Sequence, residues 1–367
     1  MTEPLKKLTI KGFKSIESLV DFELGALNVL IGANGSGKSN FVDFFRLIRA
    51  MADESLQVFV TKCGGADVFF HMGAQHTSKI SAQLVFGQNT YGFDLSPTAS
   101  DQMMIEQETT RCNGAEQVRK HGKLESVLRN EASRRSASEP NVDRDIHAAV
   151  SNCMVYHFHD TSMMAPMRRE QSERDHFGLR HDASNIAPFL LSLRDDTKHK
   201  ANYDLIRDTV RMVAPFFDDF FLEPKTKGPA EMVRLEWRQK GNIYPFRPYH
   251  LSDGTIRFIC LATALLQPTP PATIILDEPE LGLHPFAISL LASLIQSASE
   301  RMQVIISTQS PTLLDEFKPE DVIVVNRQAG HSTFNRLDTE LLREWLDEYS
   351  VAELWQQNVL RGGPAHE

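Results

Sequence analysis

Cysteine is scarce, and its placement excludes more than its number. Cys63, Cys112, Cys153 and Cys260 stand singly, with no C-x-x-C pair. That pattern argues against a disulfide framework and gives no reason to expect a zinc site, and it fits reduced thiols in a cytoplasmic chain. Long apolar runs are missing too. The longest strongly apolar stretch, Phe258 to Leu266, falls far short of the roughly 20 residues a spanning helix needs, so no membrane association is expected. The opening Met1 to Lys7 lacks the pattern of a signal peptide. Excess positive charge is also absent: 39 Lys and Arg face 48 Asp and Glu, a net charge of −9. A surface broadly tuned to phosphate backbones is therefore not expected. Arg134-Arg135 and Arg168-Arg169 are the local exceptions. Both pairs are interleaved with acids, so a solvated face is the first reading and a nucleic-acid contact the second.

What is present is an ordinary globular composition, 41% apolar and 24% charged over 367 residues, enough for one large core or two moderate ones. The most informative stretch is Gly32-Ala33-Asn34-Gly35-Ser36-Gly37-Lys38-Ser39, which fits G-x-x-x-x-G-K-[ST]. Glycines let successive backbone N–H groups turn inward around an anion. Lys38 can reach the terminal phosphates of a nucleotide, and the Ser39 hydroxyl can hold Mg²⁺. The context agrees: Leu27 to Ile31 reads as a strand, and Asn40 to Ala52 as a helix whose N-terminus faces the loop.

Short strands are expected at 5–10 and 19–24, around Lys11-Gly12-Phe13-Lys14-Ser15, and a hairpin at Ile80–Phe86 and Thr90–Leu95. Residues 101–150 turn polar and read as an exposed insertion with one or two helices, too broken for a long coiled coil. Met154 to Phe158 reads as a strand and 184–213 as helical. Met232–Trp237 and Ile243–Phe246 read as a second hairpin. From Leu251 onward helix and strand alternate, which is how a parallel sheet covered by helices is written. Thr339 to Leu360 reads as one or two amphipathic helices.

Ile274-Ile275-Leu276 is a buried strand ending in two carboxylates, Asp277 and Glu278. At the carboxyl end of such a strand Asp277 can position Mg²⁺, and Glu278 can act as general base on the attacking water. Leu251-Ser252-Asp253-Gly254-Thr255 opens a helix and makes a second anion cradle. One triphosphate does not need two cradles in one chain. The economical reading is that Ser252 and Gly254 close on the nucleotide held by a second copy in a head-to-tail pair; an ordinary N-cap is the alternative.

These pieces, with Gly32 to Asn40, Leu276 to Pro285 and Ile306-Ser307-Thr308-Gln309-Ser310-Pro311, resemble the ATP-binding-cassette ATPases of the RecF and structural-maintenance-of-chromosomes (SMC) type. The resemblance is closer still to stand-alone RecF-like ATPases and to the ATPase modules of overcoming-lysogenization-defect nucleases. It implies an α/β P-loop fold: a mixed sheet core, an antiparallel β subdomain and a helical subdomain. The expected division is a first lobe over 1–160, a helical part over 161–250, a second lobe over 251–330 and C-terminal helices over 331–367.

The resemblance also implies roles. The nucleotide, ATP, would be bound by Asn34, Gly35, Ser36, Gly37, Lys38, Ser39 and Asn40, with Lys14 at the α-phosphate. Ser252 and Gly254 would contact the γ-phosphate across an ATP-dependent homodimer, and Leu281 to Pro285 would couple the two sites. No glutamine stands where the family senses Mg²⁺; His159 or Asp160 is the substitute. Gln309 replaces the family's usual switch histidine. It can orient water but cannot carry a proton near pH 7, so slow turnover resting on Glu278 is expected. The implied work is ATP hydrolysis acting on DNA, in repair or phage defence. The alternative is a switch controlling an effector nuclease or toxin without touching DNA; a transporter subunit fits poorly. Only about 40 residues follow Val325, too few for a fused nuclease domain.

Overall fold

The computed structural model describes residues 3–112, 114–134 and 141–360. The chain opens with β1 (Leu5–Phe13), β2 (Ile16–Glu23) and β3 (Leu27–Ile31), followed by α1 (Lys38–Ala52) and α2 (Leu56–Lys62). Four antiparallel strands come next: β4 (Ile80–Phe86), β5 (Asn89–Pro97), β6 (Met103–Cys112) and β7 (Ala115–Lys123). Helices α3 (Leu128–Ser133) and α4 (Val142–Ser151) lead to β8 (Cys153–Tyr156) and the short β9 (Gln171–Ser172). The middle of the chain holds α5 (Ile186–Asp195), α6 (Lys200–Val213), β10 (Phe217–Phe221), β11 (Lys225–Lys227), β12 (Ala230–Val233) and β13 (Glu236–Gln239). The last third alternates α7 (Asp253–Leu266), β14 (Thr273–Asp277), α8 (Pro285–Ser299), β15 (Gln303–Thr308), α9 (Pro311–Leu314) and β16 (Val322–Gln328). It ends with β17 (His331–Arg336), α10 (Arg343–Leu346) and α11 (Val351–Gln356).

Two six-stranded sheets carry the fold. One is antiparallel, in the order β2-β1-β4-β5-β6-β7; the other is mixed, in the order β17-β16-β3-β15-β14-β8. In the mixed sheet only the β16–β17 pairing is antiparallel. Its two central strands, β3 and β15, are buried along their whole length because both faces are covered. Side chains alternate between the two faces. Leu30, Ile275, Ile305 and Ile323 join the core between the sheets, with α1 and α4. Val29, Ile274, Leu276 and Ile306 join the core beneath α5 to α8. Helix α1 lies in the inter-sheet core through aromatic contacts: Phe44 meets Phe13 edge-on with centroids 5.6 Å apart and stacks on Phe93 at 6.2 Å.

Three expectations need correction. Residues 101–150 hold the two helices expected, α3 and α4, but are not an exposed insertion: β6 and β7 extend the antiparallel sheet, and the helices pack beside it. The alternation was hidden because a polar residue, Glu108, occupies an inward position. It is buried there by bonds from Tyr91 Oη at 2.5 Å and Ser126 Oγ at 2.6 Å. The hairpin expected over 232–246 is two pairings instead: β12 pairs with β11, and β13 pairs with β10. Trp237 and Phe246 keep a single bridge. Strand β17 was not anticipated at all; Ala329-Gly330, both with positive φ, make the tight turn that folds it back on β16. Of the arginine pairs, Arg134 is exposed and paired with Glu131 at 2.6 Å, while Arg135 lies outside the described residues.

Phe44 is fully buried between the sheets. Phe44→Ala should therefore cost about 3–5 kcal/mol, read as a shift of the urea midpoint. A loss below about 1 kcal/mol would show that this core collapses freely around the gap.

Candidate nucleotide site

Sheet register assembles the site. Ser307 on β15 pairs with Leu30 on one side and with Asp277 on the other, so β3, β14 and β15 end together. The 32–39 loop, the two carboxylates and Gln309 all leave the sheet at that edge.

The loop needs its glycines. A Cβ on Gly32 would strike the Val325 carbonyl oxygen, and one on Gly37 (φ 113°) would strike the hydroxyls of Ser332 and Ser15. The backbone is braced from behind: Asn40 Nδ2 donates to Ser15 Oγ at 2.6 Å, the Ser15 and Ser332 hydroxyls bond at 2.7 Å, and Ser332 Oγ donates to Ser36 O at 2.5 Å. Asn34, Gly35 and Ser39 are exposed at the mouth, whereas Ser36, Gly37 and Lys38 are buried.

Lys38 Nζ folds back to donate to Gly32 O at 2.7 Å and Ala33 O at 3.1 Å. Burial pulls its ammonium below the ordinary lysine range, and the carboxylates of Glu278, Asp277 and Glu280 oppose that pull. Three acids thus face one buried ammonium, which leaves room in the charge balance for a divalent cation. Asp277 accepts a hydrogen bond from Ser307 Oγ, and Glu278 accepts one from Gln309 Nε2. Glu278 sits at φ 43°, a strained backbone for a non-glycine residue, and its N–H is held by Ser307 O at 2.9 Å. Glu280 accepts from Thr308 Oγ1 at 2.5 Å, and burial raises its carboxyl. Among the described residues Ser36 Oγ and Glu280 Oε2 are buried without a hydrogen-bond partner. Unpartnered polar atoms and surplus carboxylates beside a glycine-lined cradle fit a phosphate chain with its Mg²⁺.

Not every expected residue converges here. Ser252 is exposed and caps α7, accepting from Thr255 N at 3.1 Å; among the described residues its side chain bonds only Thr255. Gly254 lies against the loop after the carboxylates: a Cβ there would come within 2.5 Å of Gly282 O. Lys14, at φ 48°, pairs with Asp43 of α1 at 2.6 Å and lies 5.4 Å from the Phe69 ring centre. His159 and Asp160 part ways: His159 Nε2 donates to Asp277 O at 2.7 Å, whereas Asp160 accepts from Ser162 N at 3.0 Å.

Arg168 departs from both of its sequence readings, since it is 6% exposed and neither solvated nor open to nucleic acid. It pairs with Asp253 at 2.9 Å and donates to Thr161 O at 3.0 Å and to Pro248 O, so it braces the turn before α7. Arg169 remains exposed. Two bracing residues escaped sequence reading. Arg257, in the apolar run of α7, donates to Phe158 O at 3.1 Å, His159 O at 3.1 Å and Leu281 O. Ser332 lies in an unanticipated strand. An arginine inside an otherwise apolar helix is a signal that could have been read; a lone serine is not.

The family model described as "AAA domain, putative AbiEii toxin, Type IV TA system" matches residues 27–315. Among curated proteins, the chromosome partition protein Smc of Desulfitobacterium hafniense (strain Y51) is 53% identical over 45 residues. That stretch is 12% of this chain and 4% of the Smc protein. Among solved structures, the Smc head bound to the C-winged helix domain of ScpA superposes with a TM-score of 0.55 at 16% identity, covering 93% of this chain and 99% of that one. An Smc head with an extended coiled coil, bound to the C-terminal domain of ScpA and derived from Pyrococcus furiosus, gives 0.56 at 15% identity, with 94% and 99% covered. Among the described residues no helix is long and apolar enough to cross a membrane. The chain belongs to that AAA-domain family, and its fold is that of the Smc heads.

Proposed function

We propose that this chain is an ATPase that closes head-to-tail on a second copy around ATP. The observation that carries the reading is the convergence of Lys38, Asp277, Glu278 and Gln309 at one sheet edge, while Ser252 is exposed to solvent. Asn34 to Asn40 would wrap the phosphates, with Lys38 turning from its own loop carbonyls to the γ-phosphate and Lys14 leaving Asp43 for the α-phosphate. Ser39 and Asp277 would hold Mg²⁺, which supplies charge neutralisation on the phosphates. Gln309 would orient a water whose proton passes to Glu278 as its oxygen attacks the γ-phosphorus and the bond to ADP breaks. Ser252 and Gly254 would complete the cradle of the partner copy. The packing of Gly254 on Gly282 and the bond from Arg257 to Leu281 O offer a rigid route from that contact back to Glu278.

Glu278→Gln should keep ATP binding and accumulate a dimer in saturating Mg·ATP, measured by light scattering. A variant that stays monomeric under those conditions counts against the closed pair.

The name of the Smc relative, a chromosome partition protein, puts DNA first as the object of the switch. The second reading, control of an effector protein, is favoured by the net charge of −9 and by the toxin–antitoxin wording of the family description. Measuring ATPase rate with and without duplex DNA at two salt concentrations separates them. Stimulation that fades with salt supports direct phosphate contacts. No stimulation at either salt supports a protein partner.

A further inference from the structure

Three segments meet behind the phosphate loop: the start of β2, the 70–73 loop and the start of β17. Each brings one metal-binding side chain. His71 is 4% exposed, and its Nδ1 contacts Lys14 O at 2.7 Å. A carbonyl can only accept, so Nδ1 carries the proton and Nε2 keeps a free lone pair. His331 Nδ1 lies 3.5 Å from Glu17 Oε2, and the two imidazole centres are 6.4 Å apart. One donor atom from each of Glu17, His71 and His331 falls within 4.8 Å of the other two.

An ion pair accounts for His331 and Glu17. It does not account for a buried imidazole, locked in one tautomer, converging on the same point. Two imidazoles and a carboxylate are a zinc-type donor set that leaves a fourth position open. An N–H to carbonyl bond on the far ring nitrogen is the usual outer support of a metal-bound histidine. Mg²⁺ is disfavoured there, because it prefers oxygen ligands in octahedral array. The scattered cysteines had given no hint of zinc; imidazoles supply the donors instead.

We propose that Glu17, His71 and His331 bind a divalent transition metal of the zinc class. The site is separate from the one formed by Ser39 and Asp277, and it stands whether or not the chain hydrolyses ATP. One of the ligands, His71, also lines a cavity of about 360 Å³ beside the phosphate loop, together with Lys14, Ser15, Asn40 and Arg327. His331 also precedes Ser332, whose hydroxyl bonds Ser36 O. A bound metal therefore pins the brace behind the nucleotide cradle.

The test uses the tag-free full chain, stripped with chelator, free of nucleotide, and titrated with Co²⁺ as the probe. Visible absorption should saturate at one equivalent per chain and be displaced by Zn²⁺. His331→Ala and Glu17→Gln should each weaken binding by more than about 100-fold, the upper end of what losing only an outer-shell partner costs. Asp277→Asn should bind as the unmodified chain does. Glu17 is exposed on β2, so its variant keeps the fold and decides the matter even if the histidine variant does not fold. Absence of saturable binding, undiminished binding in Glu17→Gln, or loss of binding in Asp277→Asn would overturn the proposal.

Discussion

Parallel register is the constraint on which the site hangs. Ser307 is paired on both sides, with Leu30 of β3 and with Asp277 of β14, so a loop near residue 32 and carboxylates near residue 277 reach the same edge. A slip of one residue in either pairing would exchange the side chains that these strands send to the two cores. Buried polar side chains within the strands help to pin the register: Thr273 Oγ1 donates to Gln303 Oε1 at 2.9 Å, and Asn28 Nδ2 donates to Val304 O at 3.4 Å. Ser307 adds a local lock: its hydroxyl donates to Asp277, and its carbonyl holds the Glu278 N–H.

Around that edge the chain tolerates strained backbone where neighbours determine it. Gly37 is pressed against Ser332 and Ser15, and Glu278 is held at positive φ by the Ser307 carbonyl. Both stay in place because structure behind them is braced. Hydroxyls and a side-chain amide support the loop, and buried arginines support the turns on the opposite side. Arg168 and Arg257 spend their guanidinium donors largely on backbone carbonyls, which is how a charged side chain is accommodated inside an apolar layer. The result is continuous packing from the carboxylates, through Leu281 and Gly282, to the exposed Ser252 turn.

Much of this was legible in the primary structure. The strand, glycine loop and helix around Lys38 announce themselves because each follows a strong local rule. The alternation of α7, β14, α8 and β15 likewise reads directly, since fully buried parallel strands are short apolar runs. Non-local compensation hid the rest. Glu108 broke the strand pattern of β6 because its partners, Tyr91 and Ser126, come from other segments. Arg168 looked solvated among its neighbouring acids, yet its partner is Asp253, far along the chain. Glu17, His71 and His331 share no spacing that a motif could capture. Folding alone brings them together.

The central claim is that each triphosphate is held jointly by the 32–39 loop of one copy and the Ser252 turn of its twin. The most direct measurement is a structure of the full chain with a non-hydrolysable ATP analogue and Mg²⁺. The account predicts Ser252 Oγ of one copy within hydrogen-bond distance of the γ-phosphate on the other. A bound analogue with Ser252 remote from every phosphate, in its own copy and in all neighbours, would contradict it.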